Sequence, residues 1–167
     1  MDNLGRLVAV GLVVAGGLCA HAEVTLDNQY LRWTINDDGT TAELVIKSSG
    51  ENIAADGARP LAMLHDARGW HGARSVEANG EQWTVTFAGV DLPVKLNARA
   101  ETDHLWIGPV GKMPPGTDQL VFAQVCLKVP RQSVGHYWPV GRVGDTYVLL
   151  APLTPQTRTS YSYGRDG

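Results

Sequence analysis

Short runs of alternating apolar and polar residues, each closed by a cluster of turn formers, fill this chain from residue 23 onward. Side chains one residue apart on a strand point to opposite faces, so a period of two requires half-buried strands. Leu31, Trp33 and Ile35 alternate with Arg32 and Thr34, and Ala42 to Lys47 follows as a second strand. Between them stands Asn36-Asp37-Asp38-Gly39, where Gly and Asn/Asp tolerate positive φ. Ser75 to Ala78 run into Asn79-Gly80, and Trp83, Val85 and Phe87 then alternate with Thr84 and Thr86. Asn-Gly is the favoured centre of a two-residue type I′ hairpin turn. Val94, Leu96 and Ala98 form a further strand, and Leu105 with Ile107 another. Leu120 to Val129 is apolar on both faces and is expected as a central strand covered on each side. Tyr147 to Ala151 is the last strand expected.

Strands at this spacing, with turn signals about every ten residues, predict an all-β fold, an antiparallel β-sandwich. One core is expected to hold Leu31, Trp33, Ile35, Val85, Phe87, Leu96, Val125 and Leu127. Trp106, opposite in phase to Leu105 and Ile107, is expected to point outward. Gly111-Lys112-Met113-Pro114-Pro115-Gly116 reads as a loop or an edge crossing, because proline cannot donate to a ladder. Arg131 to Asp145 is glycine-rich, lacks alternation and is expected as a long loop. Thr154 to Gly167 is polar, so the sandwich is expected to be incomplete at its C-terminus.

The first 22 residues differ from the rest. Arg6 precedes a twelve-residue apolar run, Leu7 to Leu18, and Ala20-His21-Ala22 offers small residues at a signal-peptidase site. The run is too short to span a bilayer and polar Glu23 follows directly. Residues 1–22 are therefore read as a signal peptide and 23–167 as one domain, secreted or periplasmic, with no transmembrane segment in the mature chain. Cys19 lies inside the leader after a bulky Leu18, which disfavours a lipid-attachment site. Cys126 is then the lone mature cysteine. It cannot form an intramolecular disulfide, and its apolar setting reads as a core thiol. The net charge is −3, with no basic stripe, so a nucleic-acid partner is not expected.

Glu23 to Ile53 carries a resemblance to a known family. Val24-Thr25-Leu26-Asp27-Asn28-Gln29-Tyr30-Leu31-Arg32-Trp33-Thr34-Ile35 is followed by Asp38-Gly39-Thr40-Thr41 and by Leu44-Val45-Ile46-Lys47-Ser48-Ser49-Gly50-Glu51-Asn52-Ile53. This stretch resembles the opening of the β-sandwich domains at the N-terminus of large secreted bacterial glycoside hydrolases, similar in architecture to galactose-mutarotase-like domains. Val148 to Thr157 looks like a late strand of such domains. The resemblance implies an accessory module, an N-terminal fragment whose catalytic barrel would lie downstream. It carries over no catalytic residue, because no catalytic motif of the family occurs here, and fold alone does not fix function.

The residues themselves leave the chemistry open. Of seventeen acids, Asp2 is in the leader, and no pair among the other sixteen has a diagnostic spacing for glycoside hydrolysis. His65, His71, His104 and His136 are the candidates for general acid–base work on a sugar ring. His65-Asp66 and His71 could approach a metal, but lack the short, regular ligand spacing of zinc sites, so no metal or cofactor is expected. Two tryptophans stand apart from the alternating strands. Trp70-His71 lies in Asp66-Ala67-Arg68-Gly69-Trp70-His71-Gly72, read as a polar glycine-rich loop, and Tyr137-Trp138 follows His136 in the second glycine-rich loop. A sugar ring stacks its apolar face on an indole, while Asp and His satisfy its hydroxyls. A carbohydrate partner is therefore expected at Trp70, His71, Asp66, Trp138 and His136. The competing expectation is that these rings fold back and cap the sandwich. An enzyme in its own right and a protein-interaction module are the two other functional readings.

Overall fold

The computed structural model describes residues 23–55, 59–128, 140–143, 146–149 and 151. Residues 1–22, the expected signal peptide, lie outside the described residues, as do His136, Trp138 and residues 152–167. Among those described, the ordered elements are strands, all paired antiparallel.

Four strands form the first sheet, in the order β1 (Val24–Asp27), β2 (Leu31–Ile35), β3 (Thr41–Ile46) and β4 (Glu51–Asn52). The second sheet holds six. In chain order they are β5 (Met63–Asp66), β6 (Gly69–Asn79), β7 (Gln82–Phe87), β8 (Val90–Ala100), β9 (Leu105–Val110) and β10 (Thr117–Val121). Their spatial order is β10-β5-β6-β7-β8-β9. A separate hairpin joins β11 (Val140–Val143) to β12 (Thr146–Leu149).

The period of two decides which face is buried. On β1, Val24 and Leu26 are buried while Thr25 and Asp27 are exposed. On β7, Trp83, Val85 and Phe87 are buried between half-exposed Thr84 and Thr86. Cross-strand pairs Val76↔Val85, Val85↔Val94 and Trp83↔Leu96 carry this face across three strands. These residues meet Trp33, Ile35, Leu44 and Ile46 of the first sheet in one core. That is the expected antiparallel β-sandwich. Five of the eight expected core residues are buried, and Leu31, Val125 and Leu127 are partly buried against the same cluster. Burying one such side chain contributes about 1.5–3 kcal/mol.

The β2–β3 turn stitches the sheets together. Asn36 N–H donates to Thr40 O and Gly39 N–H to Asn36 O, closing the turn. Gly39 O then accepts from Leu61 N–H at 2.7 Å, and Asp37 O from Val76 N–H at 2.7 Å. Backbone groups that would otherwise be orphaned between the layers are thereby paired.

Four expectations need correction. The β6–β7 turn is centred one residue later than Asn79-Gly80. Asn79 pairs with Gln82, Gly80 sits at φ 61°, and Asn79 is not left-handed. A positive φ at the first central position alone is the type II′ pattern, which puts the unusual conformation on glycine. Leu120 to Val129 is not a central strand. β10 is an edge strand ending at Val121, and Ala123 then turns out at φ 56°. Residues 122–128 reach from one sheet to the other. Gln124 N–H donates to Leu61 O, Ala55 N–H to Cys126 O and Lys128 N–H to Ile53 O. Apolar residues on both sides suit that bridging segment, and Cys126 is half-buried within it rather than fully enclosed. Val140–Val143, expected as loop, is a strand paired with Thr146–Leu149. Finally, Asp66 to Gly72 is a hairpin, not a loop: β5 and β6 pair directly through it.

Candidate functional site

The β5–β6 hairpin gathers the sequence-predicted residues Asp66, Trp70 and His71. Ala67 and Arg68 form its tip, and Gly69 takes φ 118° where the chain re-enters the sheet. Asp66 nucleates the turn, since its Oδ1 accepts the Arg68 N–H at 2.7 Å. This is the local side-chain hydrogen bond that favours aspartate at turn starts. Gly72 leaves room for the Pro60 ring, which a Cβ there would meet at 3.2 Å. The glycines that gave this segment its loop-like look therefore serve a strand.

The hairpin register separates the predicted residues onto two faces. Leu64 pairs with His71, and His65 with Trp70. Leu64 is fully buried, so His71 lies on the inner side and Trp70 on the outer. At the inner rim, His71 Nε2 lies 2.8 Å from Asp66 Oδ1, and Nδ1 lies 2.9 Å from Ala88 O. Both partners are acceptors, and they are satisfied together only when both ring nitrogens carry a proton. Arg68 folds back to donate to Asp66 Oδ2 from Nε at 3.0 Å and from Nη2 at 2.7 Å. The Arg68 guanidinium, and next the hydrogen bond with His71, hold the Asp66 carboxyl well below the usual carboxylate range. Asp66 in turn raises Arg68 above its usual value. The network ties the hairpin tip to the β7–β8 turn at Ala88.

The outer face is built differently. Trp70 is 47% exposed, a large indole presented to solvent. The His65 ring meets it edge-on, with centroids 4.9 Å apart and planes at 61°. His65 Nδ1 lies 2.7 Å from Asp118 Oδ1. Asp118 is the extra residue of a bulge, because Thr117 pairs with Asp66 and Gln119 with His65. Bulges re-aim side chains, and this one brings a carboxylate to the strand that carries His65. Trp70, His65 and Asp118 thus form a row across β6, β5 and β10. An indole face, an imidazole and a carboxylate side by side can stack on an apolar ring and accept or donate hydrogen bonds at its edge.

Trp138 and His136, the other half of the expected platform, lie outside the described residues. His104 sits apart at an exposed turn with Asp103, 2.7 Å away. Trp106 does face outward. Its ring carries the Arg99 guanidinium 4.6 Å from the centroid and overlies Gly108, where a Cβ would approach to 2.8 Å. Covered in this way, Trp106 is a packing residue of the outer face. Sequence reasoning missed Asp118 altogether and weighed His65 only as a metal or acid–base candidate. The signal was present in Asp66-Ala67-Arg68-Gly69, a turn composition that pairs residue 65 with residue 70.

No protein-family model, curated protein or solved structure matched this chain. Among the described residues no helix is long and apolar enough to cross a membrane. No group of three His, Cys, Asp or Glu among them could hold a metal ion.

Proposed function

We propose that this chain is a secreted accessory β-sandwich module of the kind associated with carbohydrate-active enzymes, and that it binds glycan through the outer face of the β5–β6 hairpin. The observation that carries the reading is Trp70. It stands half-exposed on a paired strand, held by the edge of His65, with Asp118 beside it. An exposed indole beside an imidazole and a carboxylate offers a stacking face together with hydrogen-bonding groups, the pairing that a sugar ring needs. A strand-mounted ring is held more firmly than a loop-mounted one, which lowers the ordering cost of binding. The ligand would stack a sugar face on the indole and place ring hydroxyls against Asp118 and His65. Asp66 and His71 support the hairpin from its inner side and do not touch the ligand.

Glycan-array screening of the mature protein, followed by titration of Trp70→Ala, tests this. Loss of one stacked ring costs about 1–2 kcal/mol, or roughly tenfold in affinity. Asp66→Asn should weaken binding less than Trp70→Ala. Affinity unchanged by Trp70→Ala rules the hairpin out as the site.

A second reading has its own observation. Leu92 on β8, Val110 on β9 and Met113 in the following loop are exposed apolar side chains near one end of the large sheet. They fit contact with another protein surface, and co-purification that depends on Leu92 or Met113 but not on Trp70 would favour it.

A further inference from the structure

The outer face of the four-stranded sheet is a polar grid laid out by register. Thr25, Thr34 and Glu43 lie in one cross-strand row, and Asp27, Arg32, Val45 and Asn52 in the next. A bulge at Ala42 interrupts the β2–β3 ladder, since Thr34 pairs with Glu43 and Ile35 with Thr41. Ala42 has only a methyl group, and a trough of about 520 Å³ opens here, lined by Glu23, Arg32, Glu43 and Asn52 among others. The trough is an open, mostly polar depression of the sheet surface, so a ligand here would be held along one side by hydrogen bonds.

The polar groups in the trough are half used. Glu43 Oε1 accepts from Arg32 Nε at 3.1 Å and from Thr34 Oγ1 at 3.2 Å. Asn52 Oδ1 accepts the backbone N–H groups of Leu44 and Ala54, both at 3.0 Å. These bonds orient the three side chains and leave Glu43 Oε2, the Arg32 Nη groups and Asn52 Nδ2 facing the trough without a bond of their own among the described residues. Charge then selects the ligand. Glu23 and Glu43 against the one guanidinium of Arg32 leave a net negative lining, which disfavours an anion, and Arg32 is already paired with Glu43. A forked carboxylate, guanidinium and amide instead match neighbouring hydroxyl groups, which both donate and accept.

We propose that this trough is a second ligand site, specific for the paired hydroxyls of a neutral saccharide, on the sheet opposite Trp70. The proposal rests on the glycan reading only for the class of ligand, since it uses none of the Trp70 residues. With no aromatic ring among the described lining residues, it would grip by hydrogen bonds where the hairpin grips by stacking. Two sites on one domain would let a multivalent glycan surface be held far more tightly than by either alone.

The experiment is a backbone and indole NMR titration of the mature protein with cellotetraose, xylotetraose, maltotetraose and galactobiose. The proposal expects at least one of them to shift the amides of Thr25, Arg32, Thr34 and Glu43. Trp70→Ala should leave those shifts in place. Arg32→Gln and Glu43→Gln should each weaken them by about tenfold, the loss of a hydrogen bond to a charged group. Amides of the core residues Trp83, Val85 and Leu96 that keep their wild-type shifts in each variant guard against a folding defect. Trough amides silent to all four sugars overturn the proposal, as does a trough response untouched by both glutamine variants. A response to putrescine instead of sugar also overturns it. The Trp70 indole signal reads the hairpin site separately, so failure of one site is distinguishable from failure of the other.

Discussion

Replacing Gly39 with alanine should destabilise the protein by about 2–4 kcal/mol, far more than an ordinary turn substitution. Gly39 sits at φ 81° in the β2–β3 turn, and a Cβ there would lie 3.0 Å from Ala73 Cβ and 3.2 Å from Val76 Cγ2. Three terms combine. The left-handed conformation costs alanine about 1–2 kcal/mol. Overpacking against β6 adds about 1–3 kcal/mol, because Val76 is buried in the core and Ala73 packs against it. The stiffer unfolded chain returns about 0.4–1 kcal/mol. Gly50→Ala is the internal control. Gly50 has φ 72° but nothing within 4 Å, so only the conformational term applies, and about 1 kcal/mol is expected. Urea unfolding of both variants gives the difference, about 1–3 kcal/mol, which isolates the clash. Adding Ala73→Gly to Gly39→Ala should show favourable coupling of about 1 kcal/mol, since it removes the nearest atom. Equal costs for Gly39→Ala and Gly50→Ala would refute the claim that this turn is wedged against the second sheet.

Two further outcomes follow from the packing and the charge network. Leu96→Ala, at a fully buried position opposite Trp83, should cost about 2–5 kcal/mol, while exposed Lys95→Ala beside it should stay within about 0.5 kcal/mol; urea midpoints decide, and similar costs would show the β8 register to be wrong. Asp66 has a folded-state carboxyl held below its ordinary value of 3.8, so its stabilisation is fully present above that pH and is lost as the pH falls below it. The stability gap between wild type and Asp66→Asn should therefore be wide near neutrality and close progressively in acid, and a gap that does not change with pH would remove the linkage.

The fold was legible wherever apolar side chains kept strict alternation, and it became hard to read where they did not. Trp83, Val85 and Phe87 alternate without a break, and their faces fall as the period of two requires. Arg131 to Asp145 offered only Val140, Gly141, Arg142 and Val143 as alternation, too short to outweigh its glycines, yet residues 140–143 pair with β12. Residues 122–128 misled in the opposite sense. A segment crossing between sheets meets apolar neighbours on two sides, which a sequence pattern cannot distinguish from a central strand. At the hairpin, the tryptophan and its neighbours were visible in the sequence but their separation was not. Trp70 and His71 are adjacent in the chain and therefore opposite on a strand, so reading the segment as loop put onto one surface residues that the sheet divides. The trough carried no sequence signal, because it depends on a bulge at Ala42 and on register across four strands.

Both candidate sites use the side of a strand that the core leaves over. β6 turns Val76 inward and Trp70 outward, and β2 turns Trp33 and Ile35 inward while Arg32 faces out. A sandwich this size needs its inner faces for the one shared core, so specificity has to be written on the outer faces and at the hairpin tips. Both sites also sit where a ladder is broken, at Asp118 and at Ala42, which is where an extra residue can redirect a side chain or open a gap without moving the buried alternation. The separation has an experimental consequence. Outer residues such as Trp70, Glu23 and Asp118 can be exchanged with the core untouched, so a loss of binding there reports on contact. Thr34 breaks the rule. It is buried beneath the Arg32–Glu43 pair although it lies on the outer side, and changing it would disturb both packing and site at once.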